Sequence, residues 1–214
     1  MAASPCYHEI VGGGLSSIPR ERAMHSHNEG ASEKAEIPFA ILGALERLLC
    51  TSSLSEISVT AICEEAHISR AAFYQHFSDK REVGKWHYGL LCAQHLDNVG
   101  SMGYRQANLA MLEGFSRYRS YYSKAFVEQG EQSLFQYALY EREKKLEQII
   151  FEDKGVAYSV AFSYQIAAFN AAAVQAVVTW IQQDMRMPHA RMAELLDVII
   201  PPKIREALEG CESG

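Results

Sequence analysis

Arg70, Tyr74, Gln75 and His76 bring a guanidinium, a phenol, an amide and an imidazole into one short stretch. Groups of these kinds hydrogen-bond to phosphates and to the edges of bases. Ala71 and Ala72, interleaved with them, are small enough to let a helix sit close against a groove. This chemistry requires a helix held away from the body of the protein, and the flanking residues supply one. Ser69 is a good N-cap and opens a helix through about His76. Ser58 is another, with Val59, Ile62, Cys63 and Ala66 giving a short preceding helix its apolar side. Ala66-His67-Ile68 makes a tight break between the two, so the arrangement is a helix-turn-helix. Its small core would be Ile57, Ile62, Ile68, Phe73 and Phe77. Ser78-Asp79-Lys80 then opens a further helix, expected over 79–97, with Lys80 and the first amides near a phosphate.

Charge constrains this reading. The chain of 214 residues has a net charge of −6, so the molecule as a whole is not basic and any nucleic-acid contact must be local. Over residues 67–85, Arg70, Lys80, Arg81 and Lys85 outweigh Asp79 and Glu82, leaving a modest +2 patch. The five cysteines (Cys6, Cys50, Cys63, Cys92 and Cys211) include no C-x-x-C pair, which predicts reduced thiols, three of them buried, and no metal site. Residues 1–32 are rich in Gly, Ser, Pro and Ala without a continuous apolar run, and read as a flexible arm carrying Arg20 and Arg22. A first helix follows over about 34–50, striped by Ile41, Leu45, Leu48 and Leu49, with Pro38 tolerable only in its first turn.

The run Ile62-Cys63-x-x-Ala66-x-Ile68-Ser69-x-x-x-Phe73-Tyr74-x-His76-Phe77-x-x-Lys80 resembles the DNA-binding signature of the TetR family. The resemblance covers residues 37–85. It implies that Ser58, Thr60, Ser69, Arg70, Tyr74, His76 and Lys80 meet the DNA backbone, and that Ala71 and Gln75 lie at or beside base-reading positions. One residue departs from the pattern. His67 stands where the family often has a turn glycine, and histidine tolerates a left-handed backbone less well than glycine does.

Downstream, the pattern stays helical. Gly100 and Gly103 mark a break before a helix around 105–119, and an amphipathic helix is expected over 132–153, with Glu141-Arg142-Glu143-Lys144-Lys145 as a solvated charge run. Aromatic residues crowd between these elements. They either fill a bundle core, the preferred reading for each ring singly, or line a cavity for a small apolar molecule. The candidate ligand set is Tyr118, Tyr122, Phe126 and Tyr137, joined by Gln165 and Phe169 from the next helix. Residues 155–183 carry no charged side chain. Their Ser, Gln, Asn and Thr residues argue against a membrane span, so a helix buried on nearly all sides is expected. A last helix is expected from Pro188 to Ile200, stopped by Pro201-Pro202. Two apolar helices at the end of a chain suggest a four-helix bundle with a second copy. Ala168, Ala172, Gln175, Trp180, Leu195 and Ile199 are the candidate dimer contacts.

The sequence thus predicts an all-α chain: a flexible arm (1–32), a three-helix helix-turn-helix DNA-binding domain (33–80), a helical regulatory and dimerisation domain (81–209) and a short flexible tail (210–214). By resemblance, the expected function is a cytoplasmic, dimeric, one-component transcription regulator. It would bind palindromic double-stranded DNA, act mostly as a repressor and answer to an unidentified small-molecule effector. No cofactor is expected. No nucleophile triad, P-loop or dinucleotide fingerprint appears, so catalysis is not expected. The alternative is a helical interaction module or small-molecule carrier that lacks specific DNA binding.

Overall fold

A computed structural model of the chain describes residues 29–128 and 130–209. Among them every regular element is helical, as the sequence predicts: α1 (Glu29–Leu48), α2 (Val59–Glu65), α3 (Arg70–His76), α4 (Glu82–Leu96), α5 (Val99–Met102), α6 (Tyr104–Ser116), α7 (Arg119–Ala125), α8 (Leu134–Glu147), α9 (Val160–Gln182), α10 (His189–Ile199) and α11 (Pro202–Glu209). A π-helical turn, Gln148–Asp153, continues α8. Arg20, Arg22 and the 210–214 tail lie outside the described residues, as do Cys6 and Cys211. Helix α1 begins about five residues earlier than its apolar stripe suggests, which places Pro38 inside the helix and not in its first turn.

Helices α1, α2 and α3 pack on one another as a small N-terminal head. The rest forms a body in which α4 packs on α6 and α8, α8 on α9, and α6 on α10. Three elements differ from the sequence reading. Pro202 does not end the helical chain but begins α11, at the first position where a missing N–H costs little. Ile204 and Leu208 anchor that helix in the core. Helix α9 is not buried on nearly all sides: Tyr164, Ala168, Ala171, Ala172, Gln175 and Thr179 are exposed, because α8 and α10 cover only part of it. Arg142, assigned to a solvated charge run, is only 4% exposed. It follows Leu134 and Ala138 and precedes Leu146 at four-residue steps, so the helical period carries it into the core. Of the described cysteines, Cys63 and Cys92 are buried and Cys50 is exposed.

Head and body meet at α7 and at α4, both of which pack on α1. The Glu46 carboxylate on α1 accepts the backbone N–H groups of Ser120 (2.9 Å) and Tyr121 (2.7 Å) in the first turn of α7. An acidic group there satisfies amides that no helix carbonyl can reach and complements the helix dipole. Arg81, just before α4, pairs with Glu128 at 2.8 Å, immediately beyond α7. Gly84 on α4 lies so close to Tyr121 that a Cβ there would come within 2.2 Å of the phenol oxygen. His87, one turn further on, shares a 2.6 Å hydrogen bond with Tyr122.

Burial, with the nearby Arg117 charge, lowers the His87 pKa from 6.5 to about 4. An unfolded histidine takes up its proton near 6.5 and the folded one only near 4, so acid favours the unfolded chain between those values. The His87 contribution is complete above the upper value and is lost as pH falls toward the lower one. The loss amounts to about 3 kcal/mol at most. Urea unfolding across this pH range is expected to show a shallower decline for His87→Gln than for the parent chain.

Candidate nucleic-acid interface

The head is built around two serine caps. Ser58 Oγ accepts the Ala61 amide at 3.1 Å and starts α2, and Ser69 Oγ accepts the Ala72 amide at 3.0 Å and starts α3. A capping hydroxyl uses a lone pair and keeps its own O–H free to donate elsewhere. Between the two helices, His67 N donates to Glu64 O (3.2 Å) and Ile68 N donates to Cys63 O (2.9 Å). That pair of bonds is a Schellman turn, which requires a left-handed residue at its hinge. His67 supplies it with φ = 55°, the strain anticipated from its place in the sequence. Ile57, Ile62, Phe73 and Phe77 are buried, with Ile68 half-buried against them. The rings of Phe73 and Phe77 pack 6.1 Å apart, and Phe77 meets Trp86 of α4 at 5.8 Å.

With Phe73 turned inward, the opposite face of α3 is left open. Arg70, Ala71 and Gln75 are exposed, Tyr74 is 50% exposed, and His76 is partly buried. The Arg70 guanidinium stands 5.9 Å from the Tyr74 ring centre, one helical turn away. Ser58 and Thr60 at the start of α2 and Ser69 at the start of α3 are also exposed. The fold therefore gathers eight of the nine predicted contact residues around two adjacent helix starts and one exposed face.

Lys80 has a different position. Its ammonium donates to the carbonyls of Ser55 (3.2 Å) and Ile57 (2.5 Å), fastening the loop that leads into α2. The expected helix start at Ser78-Asp79 is also displaced: α4 begins at Glu82, and Asp79 instead accepts the Arg81 amide at 2.5 Å. Of the other local cations, Arg81 is paired with Glu128 and Lys85 with Glu82. Arg70 alone among the four has neither a carboxylate partner nor a hydrogen-bonded carbonyl in the described residues. The local excess of charge is thus concentrated on the exposed face of α3. Sequence reasoning missed Arg47, whose guanidinium pairs with the Glu65 carboxylate and donates to Glu65 O at 3.2 Å, bracing the end of α2 against α1. The partners are eighteen residues apart, so no local periodicity marks them.

The candidate ligand residues do not form one site. Tyr122 and Phe126 stack in the core at 5.9 Å. Tyr118 packs on His87, and Tyr137 packs edge-on against Tyr88. Phe169 lies against Tyr104. Gln165 is exposed on α9, apart from these rings. Phe126 is the member of the set that lines a cavity of about 20 Å³, together with Asn108, Arg142 and apolar residues of α6, α9 and α10. Trp180, a candidate dimer contact, is buried and donates its indole N–H to Met187 O at 2.8 Å, because it closes the α9–α10 turn from within. Ala168, Ala172, Gln175, Leu195 and Ile199 are exposed.

The left-handed hinge gives a stability test. A non-glycine residue there costs roughly 1–2 kcal/mol, partly offset by the greater unfolded-state freedom of glycine. His67→Gly is expected to stabilise the protein by about 0.5–1 kcal/mol, raising Tm by roughly 1–4 °C in thermal unfolding.

Residues 41–83 match the profile described as "Bacterial regulatory proteins, tetR family". No curated protein sequence matches the chain. Among solved structures, the chain is similar to the "Dihydroxyacetone kinase operon activator DhaS", at a TM-score of 0.59 and 20% identity over 76% of this chain and 93% of that one. At that identity the likeness speaks for the fold, an all-α one with the head at the N-terminal end. Residues 41–83 thus carry the helix-turn-helix DNA-binding domain of the TetR family of bacterial regulatory proteins, at the start of an all-α fold.

Proposed function

We propose that this regulator binds a near-palindromic operator as a homodimer, with α3 of each copy in the major groove. The observation that carries this reading is the two-sided character of α3: Phe73 is locked in the core while Arg70, Ala71, Tyr74 and Gln75 stand on the open face. Arg70 and Tyr74 would contact phosphates, with Ser58, Thr60, Ser69 and His76 adding bonds around the helix starts. Ala71 and Gln75 would face base edges. An amide side chain is suited to the N6 and N7 of adenine. Lys80 would act chiefly through the loop it holds, setting the position of Ser58.

One head, with a local excess of only +2 over residues 67–85, would bind weakly, so pairing is needed for affinity and for reading a site of useful length. The face available for pairing is the uncovered side of α9 with the neighbouring side of α10. There Ala168, Ala172 and Gln175 adjoin Leu195, Ile199 and Val198, the last 80% exposed. Small residues on α9 would let a partner helix approach closely. Repression would follow where the operator overlaps a promoter. The structurally similar DhaS is described as an activator, and operator position decides between the two outcomes. A small effector in the body would alter operator affinity by favouring one spacing of the heads.

Selection of bound sequences from a random duplex pool, at near-physiological salt, is expected to return a two-fold site. Its half-sites should be about one helical turn, 34–36 Å, or a multiple of it apart. Recovery of no sequence by a folded dimer would refute operator recognition. Arg70→Ala is expected to weaken binding to all sequences alike and to reduce the salt slope of log Kd by about 1 per head. Val198→Glu is expected to give monomers in analytical ultracentrifugation, with the helical circular dichroism retained and operator affinity reduced by at least about tenfold. A Val198→Glu chain that remains dimeric would move the interface elsewhere.

A further inference from the structure

Arg142 is a buried cation without a counter-charge. Its guanidinium donates to Asn170 Oδ1 at 3.0 Å and to the Tyr104 hydroxyl at 2.8 Å, and lies near the rings of Tyr104 and Phe169. Asn170 is itself held, by donating to Leu139 O at 2.8 Å, so the group is fixed in place. All these partners are neutral. The adjacent Tyr88 phenol and Cys92 thiol are pushed up by burial, the thiol to about 12, so both stay protonated at neutral pH. No carboxylate of the described residues pairs with Arg142. Several more exposed cations of the body do have carboxylate partners: Arg105 with Glu194, Arg119 with Asp184, Lys145 with Asp97 and Arg205 with Asp197. Removing a cation from water without an opposing charge costs several kcal/mol.

Arg142 also lines the 20 Å³ cavity, whose walls include Met111, Phe115, Val174, Val178 and Leu196. We propose that this cavity is the binding site of a monocarboxylate, whose head pairs with Arg142 and whose apolar body lies among those five side chains. The inference rests on the reading of the chain as a ligand-responsive regulator and names the chemical class of its effector. A single negative charge balances the single guanidinium. A phosphate monoester, carrying nearly two charges, would leave one uncompensated among apolar walls.

The cavity as it stands holds about one water, whereas organic ligands occupy some hundreds of Å³. Binding therefore separates α6, α9 and α10. Tyr88 brings α4, which leads back to the head, into the same wall. Helices α9 and α10 carry the face proposed for pairing, so opening the cavity would shift that face relative to the heads. The ligand would thus distinguish two head spacings, as a change in operator affinity demands.

The test is thermal unfolding of the full-length protein with benzoate, hexanoate and decanoate, each set against its uncharged amide. Carboxylates at a hundredfold excess over Kd are expected to raise Tm by about 5 °C or more, and the amides to have little effect. Arg142→Met, which exchanges the buried cation for an apolar chain of similar reach, is expected to stay folded and to lose the carboxylate response. Arg142→Lys keeps the charge but loses the planar two-pronged fit, and is expected to bind more weakly. Equal shifts from amides, an undiminished response in Arg142→Met, or no response to any carboxylate would each overturn the proposal. Operator affinity measured in parallel separates the two ideas. Arg142-dependent binding without a change in operator affinity supports the site and removes the gating, whereas operator release by amides alone keeps the gating and overturns the site.

Discussion

The Glu46 carboxylate, which closes the first turn of α7 from a helix belonging to the head, is the contact on which the relation of head to body rests. Without it the start of α7 would leave two amides unsatisfied, and α1 would have no directional bond to the body at that point. The packing of Gly84 on Tyr121 and the His87–Tyr122 bond fix the other flank of the same helix from α4. Helix α7 is therefore held between the two helices that connect to the reading surface. Any movement of α4 against the body must break or carry these contacts, which gives head position a small number of discrete solutions.

The head itself follows an economical logic. Two serine hydroxyls define where α2 and α3 begin, a strained histidine sets the angle between them, and Phe73 orients α3 by taking the only position that reaches the core. Charge is distributed with the same division of labour. Lys80, Arg81 and Lys85 are tied to the protein's own carbonyls and carboxylates, so they stabilise the geometry, and Arg70 remains available to an outside partner. An acidic chain can in this way present a positive face without a broad basic patch.

The body combines a dense aromatic core with one buried guanidinium. Tyr88, Phe115, Tyr122 and Phe126 pack ring against ring there, the core filling preferred for each aromatic singly. Such interiors are close-packed, and a small cavity beside an uncompensated charge departs from the rule twice over. The uncovered faces of α9 and α10 are a third departure, since they leave Val198, Leu195 and Tyr164 in water.

Much of this was legible in the sequence because it is local. Caps, the turn at His67, the inward aromatics and the exposed set on α3 all depend on residues within about one helical turn of one another, and their spacing is fixed by the helix itself. The family signature in residues 62–80 is written in those same short-range rules. The exposure of α9, the inward turn of Trp180 and the bonds of Lys80 were not legible, since each depends on an element distant in the chain. Arg142 is the intermediate case: its four-residue spacing from Ala138 and Leu146 marks a buried position, but a neighbouring run of charges masks it. The sequence alone determined the all-helical character, the helix-turn-helix and the identity of its outward face. Only the tertiary structure decided which charges are spent within the protein and which remain to meet a partner, because pairing across the core depends on chain segments brought together by folding.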